Sequence, residues 1–239
     1  MRLHRFIGNF DFENERIRIE DSEIVKQIRN VLRLRSGDVA ILSDGRLNEA
    51  EAKIINMEKD YLEMELLKRK RSESEPAVRA TLYCSILKKE NFEFVAQKAT
   101  EVGISEIVPV VTARTVKTNL KQERLEKIVK EASEQSERGI VPKLESIMAF
   151  SEAIKYASQN HLNLFFDRSG EDIKKIISNL KIKDVKNAGI FIGPEGGWDD
   201  FEIETAKSAG FRIVSMGKLN FRAETAAIIG SYLAASIGA

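Results

Sequence analysis

The sequence predicts a two-part α/β protein: a small N-terminal β-barrel, then a larger domain built on an open parallel sheet with helices on both faces. Three observations carry this. Up to about residue 70 the chain shows short strand patterns and turns around a single helix. "KRKRSESEP" then combines charge, serine and proline without an apolar residue, and reads as a linker placed at residues 71–76. From residue 77 to 239, apolar strands alternate with helical segments, the rhythm of β-α units on a parallel sheet.

In the first part, "RIRIE" alternates apolar and charged residues as a half-buried strand does. "DSEIVKQIRNVLRL" follows as a helix with Asp21 or Ser22 as its cap. "DVAILSDG" is a strand running into an Asp-Gly turn, and "EAKIINMEKDYLEMELL" reads as two strands around Lys59 and Asp60. In the second part the strands are "ATLYCSIL", "EIVPVV", "LNLFFD", "GIFIG" and "FRIVSMG". Between and after them lie helices at "NFEFVAQKATEVG", "KQERLEKIVKEASEQSER", "SEAIKYASQN", "EDIKKIISNL", "DDFEIETAKSAG" and "AETAAIIGSYLAAS".

Composition narrows the chemistry. Apolar residues make up 43% and charged residues 31% of the 239, as in a soluble globular protein. A single cysteine, Cys84, rules out an internal disulfide, and His4 and His161 are too few and too far apart for a zinc cluster, so no metal is expected. The first residues carry no signal-peptide core, and "AAIIGSYLAASIGA" falls short of a membrane span; a cytosolic (cytoplasmic) protein is expected. The net charge of +1 gives no global field for nucleic acid. Locally, Lys26, Arg29, Arg33 and Arg35 cluster without an acid, and Arg29 and Arg33 stand at i,i+4, hence on one helical face. The plain alternative is a solvated charged surface.

"IFIGPEGGWDDF" places a glycine loop between a strand and a helix start. Its spacing, Gly193, Gly196 and Gly197, is not that of a dinucleotide fingerprint, and Pro194 removes a donor. Trp198 and Asp199 stand where a P-loop needs Lys and Ser or Thr. Glu195 would repel phosphate but suits a ligand offering hydroxyls or positive charge. The alternative, a tight turn and helix cap at Asp199 or Asp200, explains the glycines but not Glu195. Gly196 is expected to need backbone angles and a close approach that a side chain forbids. Ligands of open parallel sheets sit beyond the strands' carboxyl ends, where this loop, "DRSGED" and "MGKLNFRAET" all fall. The last of these puts Arg222, Glu224 and Thr225 at the start of a helix; Glu224 reads equally as a catalytic acid or as a first-turn acid on the helix dipole. From Ala226 onward that helix is apolar all round, and Ala226, Ala227, Gly230, Ala234 and Ala235 allow close approach in a core or a subunit interface.

The pair "GPEGG" and "MGKLNFRAETA" resembles the C-terminal knot of the SPOUT-class RNA methyltransferases. More narrowly, with "HRFIG", "RNVLRLRSGD", "LKKENFEFVAQKATEVGISEIVPVVTART" and "EASEQSERGIVPKLE", nearly the whole chain resembles the bacterial 16S ribosomal RNA uridine methyltransferases that modify an imide nitrogen. The resemblance implies a PUA-like N-terminal barrel for RNA, a SPOUT domain with a C-terminal trefoil knot, S-adenosyl-L-methionine as cofactor, ribosomal RNA or the small ribosomal subunit as partner, and a homodimer. It implies cofactor contacts from Phe166 and Asp167, from Ile192, Gly193, Pro194, Glu195, Gly196 and Gly197, and from Met216, Gly217, Leu219, Phe221 and Thr225. RNA contacts would come from Arg5, Arg29, Arg33, Arg35, Arg114 and Arg138.

A uridine imide is a weak nucleophile until its proton leaves, so the site needs a cation or a proton acceptor. Arg222 is the candidate cation, and Glu224 the group that positions the base or takes the proton. The chain departs from the family at Leu219, Asn220 and Phe221, where arginine and two aliphatics are usual, and Gln27 lies near the position usually occupied by histidine. Two other readings stay open: a SPOUT methyltransferase acting on another ribosomal or transfer RNA nucleotide, and a non-catalytic RNA-binding homologue.

Overall fold

The computed structural model describes residues 3–88, 90–179 and 185–237. Lys89 in "LKKENFEF", Leu180 at the end of the fourth expected helix of the second part, and the closing Gly238 and Ala239 lie outside these. The chain divides into two compact units. Residues 1–75 and 133–141 form the first; residues 76–132 and 142–239 form the second.

The first unit is a five-stranded sheet. Its strands are β1 (Arg5–Ile7), β2 (Arg16–Ile19), β3 (Val39–Ser43), β4 (Asn48–Met57) and β5 (Leu62–Arg71), in the order β1-β3-β4-β5-β2. β1 runs parallel to β3, and the other neighbours are antiparallel. Among the described residues the ladder ends at β1 and β2, and the sheet curls into the PUA-like half-barrel expected of the first part. Alternation does the folding: in β2 Ile17 and Ile19 are buried while Arg16 and Arg18 are exposed. These isoleucines join Phe6, Ile24, Ile28, Leu42, Ile54, Leu62 and Met64 in one core. The expected linker begins later than its charge suggests, because Lys68, Arg69, Lys70 and Arg71 are still paired to β4. The segment 133–141 packs with this unit: Arg46 bridges to Ile140, and Leu47 N–H donates to the Gly139 carbonyl.

One expectation is overturned here. Helix α1 (Ser22–Lys26) is capped by Asp21, whose carboxylate accepts from the Glu23 and Ile24 N–H groups at 2.8 and 3.2 Å. After Lys26 the chain widens into a π-helical turn (Gln27–Val31) and stops, and Arg33 takes a left-handed φ of 55°. Arg29 and Arg33 therefore do not share a helical face: the i,i+4 rule assumes a 3.6-residue turn that this segment abandons.

The second unit holds β6 (Arg79–Ser85), β7 (Glu106–Val111), β8 (Lys143–Leu144), β9 (Met148–Ala149), β10 (Leu162–Asp172), β11 (Asn187–Ile192) and β12 (Arg212–Ser215). The order is β12-β10-β11-β6-β7-β8 with β9 also on β7, and every pair is parallel. β6 and β11 are buried almost end to end, as parallel strands covered on both faces must be. The helices are α2 (Asn91–Glu101), α3 (Gln122–Gln135), α4 (Phe150–Ala157), α5 (Ile173–Asn179), α6 (Asp200–Ser208) and α7 (Ala223–Ala235). α7 buries Ala227, Gly230, Ser231, Ala234 and Ala235 and packs on α2, β6 and β11, but Tyr232 stays 58% exposed. It is thus buried on one face of this chain and not all round. In β10 residues 167–170 loop out between Phe166 and Glu171 before pairing resumes with β12. A Cβ on Gly170 would meet the Ile213 and Val214 backbone at 2.4–2.6 Å, so the excursion needs glycine to lie against its neighbour.

Candidate functional site

The carboxyl ends of β10, β11 and β12 open into one cleft of about 630 Å³, the size of ordinary small-molecule sites. β10 contributes Phe166, Asp167 and Arg168. β11 and its loop contribute Ile192, Gly193, Pro194, Glu195, Gly196, Gly197 and Trp198. The stretch after β12 adds Met216, Gly217, Leu219, Asn220, Phe221, Arg222, Ala223, Glu224 and Ala226, with Val214 and Ser215 beneath. Every expected cofactor position lines this cleft except Thr225, which is half-buried one residue beyond Glu224. Asn91 at the start of α2 completes the wall. The sequence held no signal for it, because only the strand order β11-β6 brings the β6–α2 connection here. Arg168 lay inside the flagged "DRSGED" stretch, and Trp198 had registered only as a residue unfit for a P-loop.

Local physics explains the loop's shape. The Trp198 indole donates to the Phe166 carbonyl at 2.9 Å and its ring packs 4.2 Å from Phe165, tying the β11 loop to β10. A Cβ on Gly193 would sit 3.0 Å from that indole, so glycine there is a packing requirement. Gly197 has φ +70° and closes a turn by donating to the Pro194 carbonyl at 2.9 Å. Gly196 does not need the backbone angles expected of it: its φ is not in the left-handed region, and within the protein a Cβ would only touch Arg114 at 3.6 Å, though Gly196 does line the cleft. Asp199 caps α6, accepting from Phe201 N–H at 3.0 Å, while Glu202 accepts from Asp199 N–H at 2.9 Å.

Charge in the cleft is mixed, with Asp167, Glu195 and Glu224 set against Arg168 and Arg222. Asp167 Oδ1 accepts from both the N–H and the hydroxyl of Ser169. Glu195 Oε1 accepts from Lys88 N–H at 2.8 Å, so one oxygen of the acid that suggested a cationic ligand is held by the backbone. Arg222, the residue before α7, is 87% exposed, and its guanidinium is 3.9 Å from the Glu224 carboxylate, which is 16% exposed. Cys84 is fully buried and burial pushes its thiol far up, so it offers no nucleophile.

The arginines expected to touch RNA separate into three groups. Arg29, Arg33 and Arg35 are exposed, and Arg29 donates to the Glu58 carbonyl at 3.3 Å. Arg5 is buried in an ion pair with Glu49, and Arg138 is buried in a two-point pair with Glu75 at 2.9 and 2.6 Å. Neither is available to a phosphate; each neutralises a carboxylate inside the first unit. Arg114 donates to the Gly196 carbonyl at 2.9 Å and does not line the cleft.

The RNA methyltransferase domain family matches residues 73–234, and its associated PUA domain matches residues 19–67. The chain belongs to the RNA methyltransferase family. One relative, the ribosomal RNA small subunit methyltransferase E of Rickettsia conorii, is 32% identical over 95% of this chain and 93% of its own length. The same-named protein of Mesomycoplasma hyopneumoniae is 32% identical over 69% of this chain and 72% of its own. Among solved structures, a ribosomal RNA small subunit methyltransferase E from Neisseria gonorrhoeae, bound to S-adenosyl methionine, superposes with a TM-score of 0.86. It is 28% identical, with 97% of this chain and 96% of that one covered. In this family member, no group of three or more His, Cys, Asp or Glu side chains poised for a metal occurs among the described residues. None of its described helices is long and apolar enough to cross a membrane.

Proposed function

We propose that this chain transfers a methyl group from S-adenosylmethionine to the N3 imide nitrogen of a uridine in 16S ribosomal RNA of the small subunit. One observation carries the reading: the ends of the last three strands meet in one cleft that also holds Arg222 and Glu224. The lining suits the cofactor. Apolar walls from Phe166, Ile192, Val214, Met216 and Phe221 fit an adenine ring, and the carboxylates of Asp167 and Glu195 fit ribose hydroxyls, an amino group and a sulfonium. The same carboxylates disfavour a polyphosphate.

The cofactor supplies an electrophilic methyl group. The chain supplies position and charge. Arg222 can face the uracil oxygens where negative charge grows as the N3 proton departs, and Glu224, two residues along on the first turn of α7, orients the base or receives that proton. Arg29, Arg33 and Arg35 supply exposed cations for the RNA backbone. The trefoil knot and the homodimer belong to the same reading. The dimer is supported by the outward face of α7, where Tyr232 is exposed and Ile228, Ile229 and Leu233 are only half-buried.

Tritium transfer from labelled S-adenosylmethionine to small subunits of a methylase-deficient strain tests the reaction, and mapping the labelled base tests the target. Label on N3 of one 16S uridine is the expected result. Label on another nucleotide means a different target, and no label at all removes the catalytic reading.

A further inference from the structure

The loop after β7, residues 112–115, does not line the cleft, yet it is joined to the glycine loop at several points. It is first fixed to the sheet. The Thr115 hydroxyl sits 2.8 Å from those of both Ser85, the last residue of β6, and Thr112, and it accepts from Thr112 N–H at 2.9 Å. Ser85 is fully buried and Thr112 nearly so, so this anchor is rigid.

From the anchor two contacts reach forward. Ala113 N–H donates to Glu202 Oε1 at 2.8 Å, while the other oxygen of Glu202 accepts from Asp199 N–H at 2.9 Å. Glu202 is only 4% exposed, unusual for an acid in the first turn of a helix and accounted for by these two bonds. Arg114 lays its stem along Gly196, where a Cβ would touch the arginine Cβ and Cδ at 3.6 Å, and donates to the Gly196 carbonyl at 2.9 Å. A second guanidinium nitrogen lies 3.8 Å from the Asp199 carboxylate. The glycine loop is therefore held at Gly196 and at Asp199, on either side of Gly197, by a segment that never enters the cleft.

We propose that residues 112–115 brace the glycine loop, with Arg114 and Glu202 as positioning residues that set cofactor affinity through the loop and not by contact. The proposal rests on the cofactor reading given above, and it replaces the expectation that Arg114 grips RNA. An unbraced loop carrying Gly193, Gly196 and Gly197 would sample many backbone states, and binding would have to select the competent one. The brace removes that loss before the ligand arrives.

Trp198, the chain's only tryptophan, lies between Gly197 and Asp199 and reports on the loop without any ligand. The full chain is compared with Arg114→Met, Arg114→Lys and Glu202→Gln. Three quantities are measured below the melting transition: acrylamide quenching of Trp198, S-adenosylmethionine affinity by calorimetry, and binding of a 16S RNA fragment across a salt series. Arg114→Met should quench faster and bind the cofactor roughly tenfold more weakly, the effect of one lost charge-assisted hydrogen bond, with RNA affinity and its salt slope unchanged. Arg114→Lys, which keeps one donor for Gly196, should recover part of both losses, and Glu202→Gln should follow Arg114→Met. Wild-type quenching and cofactor affinity in a folded Arg114→Met variant would overturn the brace. So would a fall in RNA affinity and salt slope with cofactor binding intact, which makes Arg114 an RNA contact. If the wild-type chain binds no S-adenosylmethionine, the cofactor reading fails by itself, and unaltered Trp198 quenching in the variants still sinks the brace.

Discussion

The Arg222 guanidinium lies 3.9 Å from the Glu224 carboxylate, with the arginine 87% exposed and the acid 16% exposed. A contact that long and that wet contributes little to stability. This separates two roles that proximity in sequence confounds. Were Arg222 a structural tie for α7, it would be buried and closely paired, as Arg138 is with Glu75.

Arg222→Ala should therefore leave the melting temperature and S-adenosylmethionine affinity near wild type while single-turnover methyl transfer falls a hundredfold or more. The scale is that of removing one preorganised charge from a developing anion, about 3 kcal/mol. Arg222→Lys should recover only part, since an ammonium cannot reproduce the planar fork. Early melting, or cofactor affinity lost in step with rate, would show the residue to be structural.

The glycines of the β11 loop should differ in cost. Gly197→Val forces a β-branched residue into φ +70°, a strain of about 1–3 kcal/mol, and Gly193→Ala drives a methyl against the Trp198 indole. Both should weaken cofactor binding. Gly196→Ala meets only ordinary contact with Arg114 and should bind close to normally. Calorimetry on the three variants checks the ranking, and an inverted order would mean that the loop is held by something other than backbone geometry.

The arginines of the first unit should divide likewise. Arg29→Ala with Arg33→Ala should lower RNA affinity and flatten its salt dependence, because exposed cations on phosphates release counterions. Arg138→Ala removes a buried guanidinium from Glu75, which is partly exposed and keeps the Gly139 and Ile140 N–H groups at 2.9 and 3.0 Å, and should cost about 1–3 kcal/mol of stability, visible in urea melts. If Arg138→Ala melts normally and loses RNA binding, the burial argument is wrong.

These contrasts mark what the sequence could say. Strands such as "ATLYC" and "GIFIG" were legible because parallel strands covered on both faces become unbroken apolar runs. Their order was not, since the placement of β6 between β11 and β7 depends on which crossovers pack, and Asn91 entered the cleft only through that order. The glycine loop and the Arg222 stretch stood out because both broke the apolar rhythm at strand ends. Arg5 and Arg138 could not be sorted from Arg29 by charge alone. Their partners, Glu49 and Glu75, lie 44 and 63 residues away in sequence, and burial decides between an ion pair and a phosphate site. The wrong helical pairing of Arg29 with Arg33 came from assuming a regular α-helix where the chain makes a π-turn.

The second unit also carries a carboxyl pair that links stability to pH. Glu106, at the start of β7, accepts from the Tyr156 hydroxyl at 2.9 Å and from the Thr81 hydroxyl at 3.0 Å. Burial pushes its carboxyl above the usual carboxylate range, and the hydrogen bond and charge of Glu145 push the same way. Burial also raises Glu145, but hydrogen bonds with Lys143 and Glu106, and the Lys143 charge, outweigh it and leave that carboxyl below its ordinary value. The two therefore act in opposite directions. Glu106 binds its proton more tightly folded than unfolded, so its contribution is complete below its unfolded value of about 4.5 and is lost as pH rises through the folded value. Glu145 contributes above its unfolded value and loses that contribution as pH falls through its depressed one. Glu106→Gln stays neutral at every pH and can still donate to Glu145. Its melting temperature should gain on wild type as pH rises above about 4.5 and through the raised folded value of Glu106, where the wild-type carboxyl is forced to ionise. Glu145→Gln should show the reverse slope, with its deficit shrinking toward acid as the wild-type carboxylate takes up a proton. Parallel melting curves for wild type and Glu106→Gln across that range would mean that Glu106 titrates as a solvent-exposed acid and that the cluster has no pH dependence of its own.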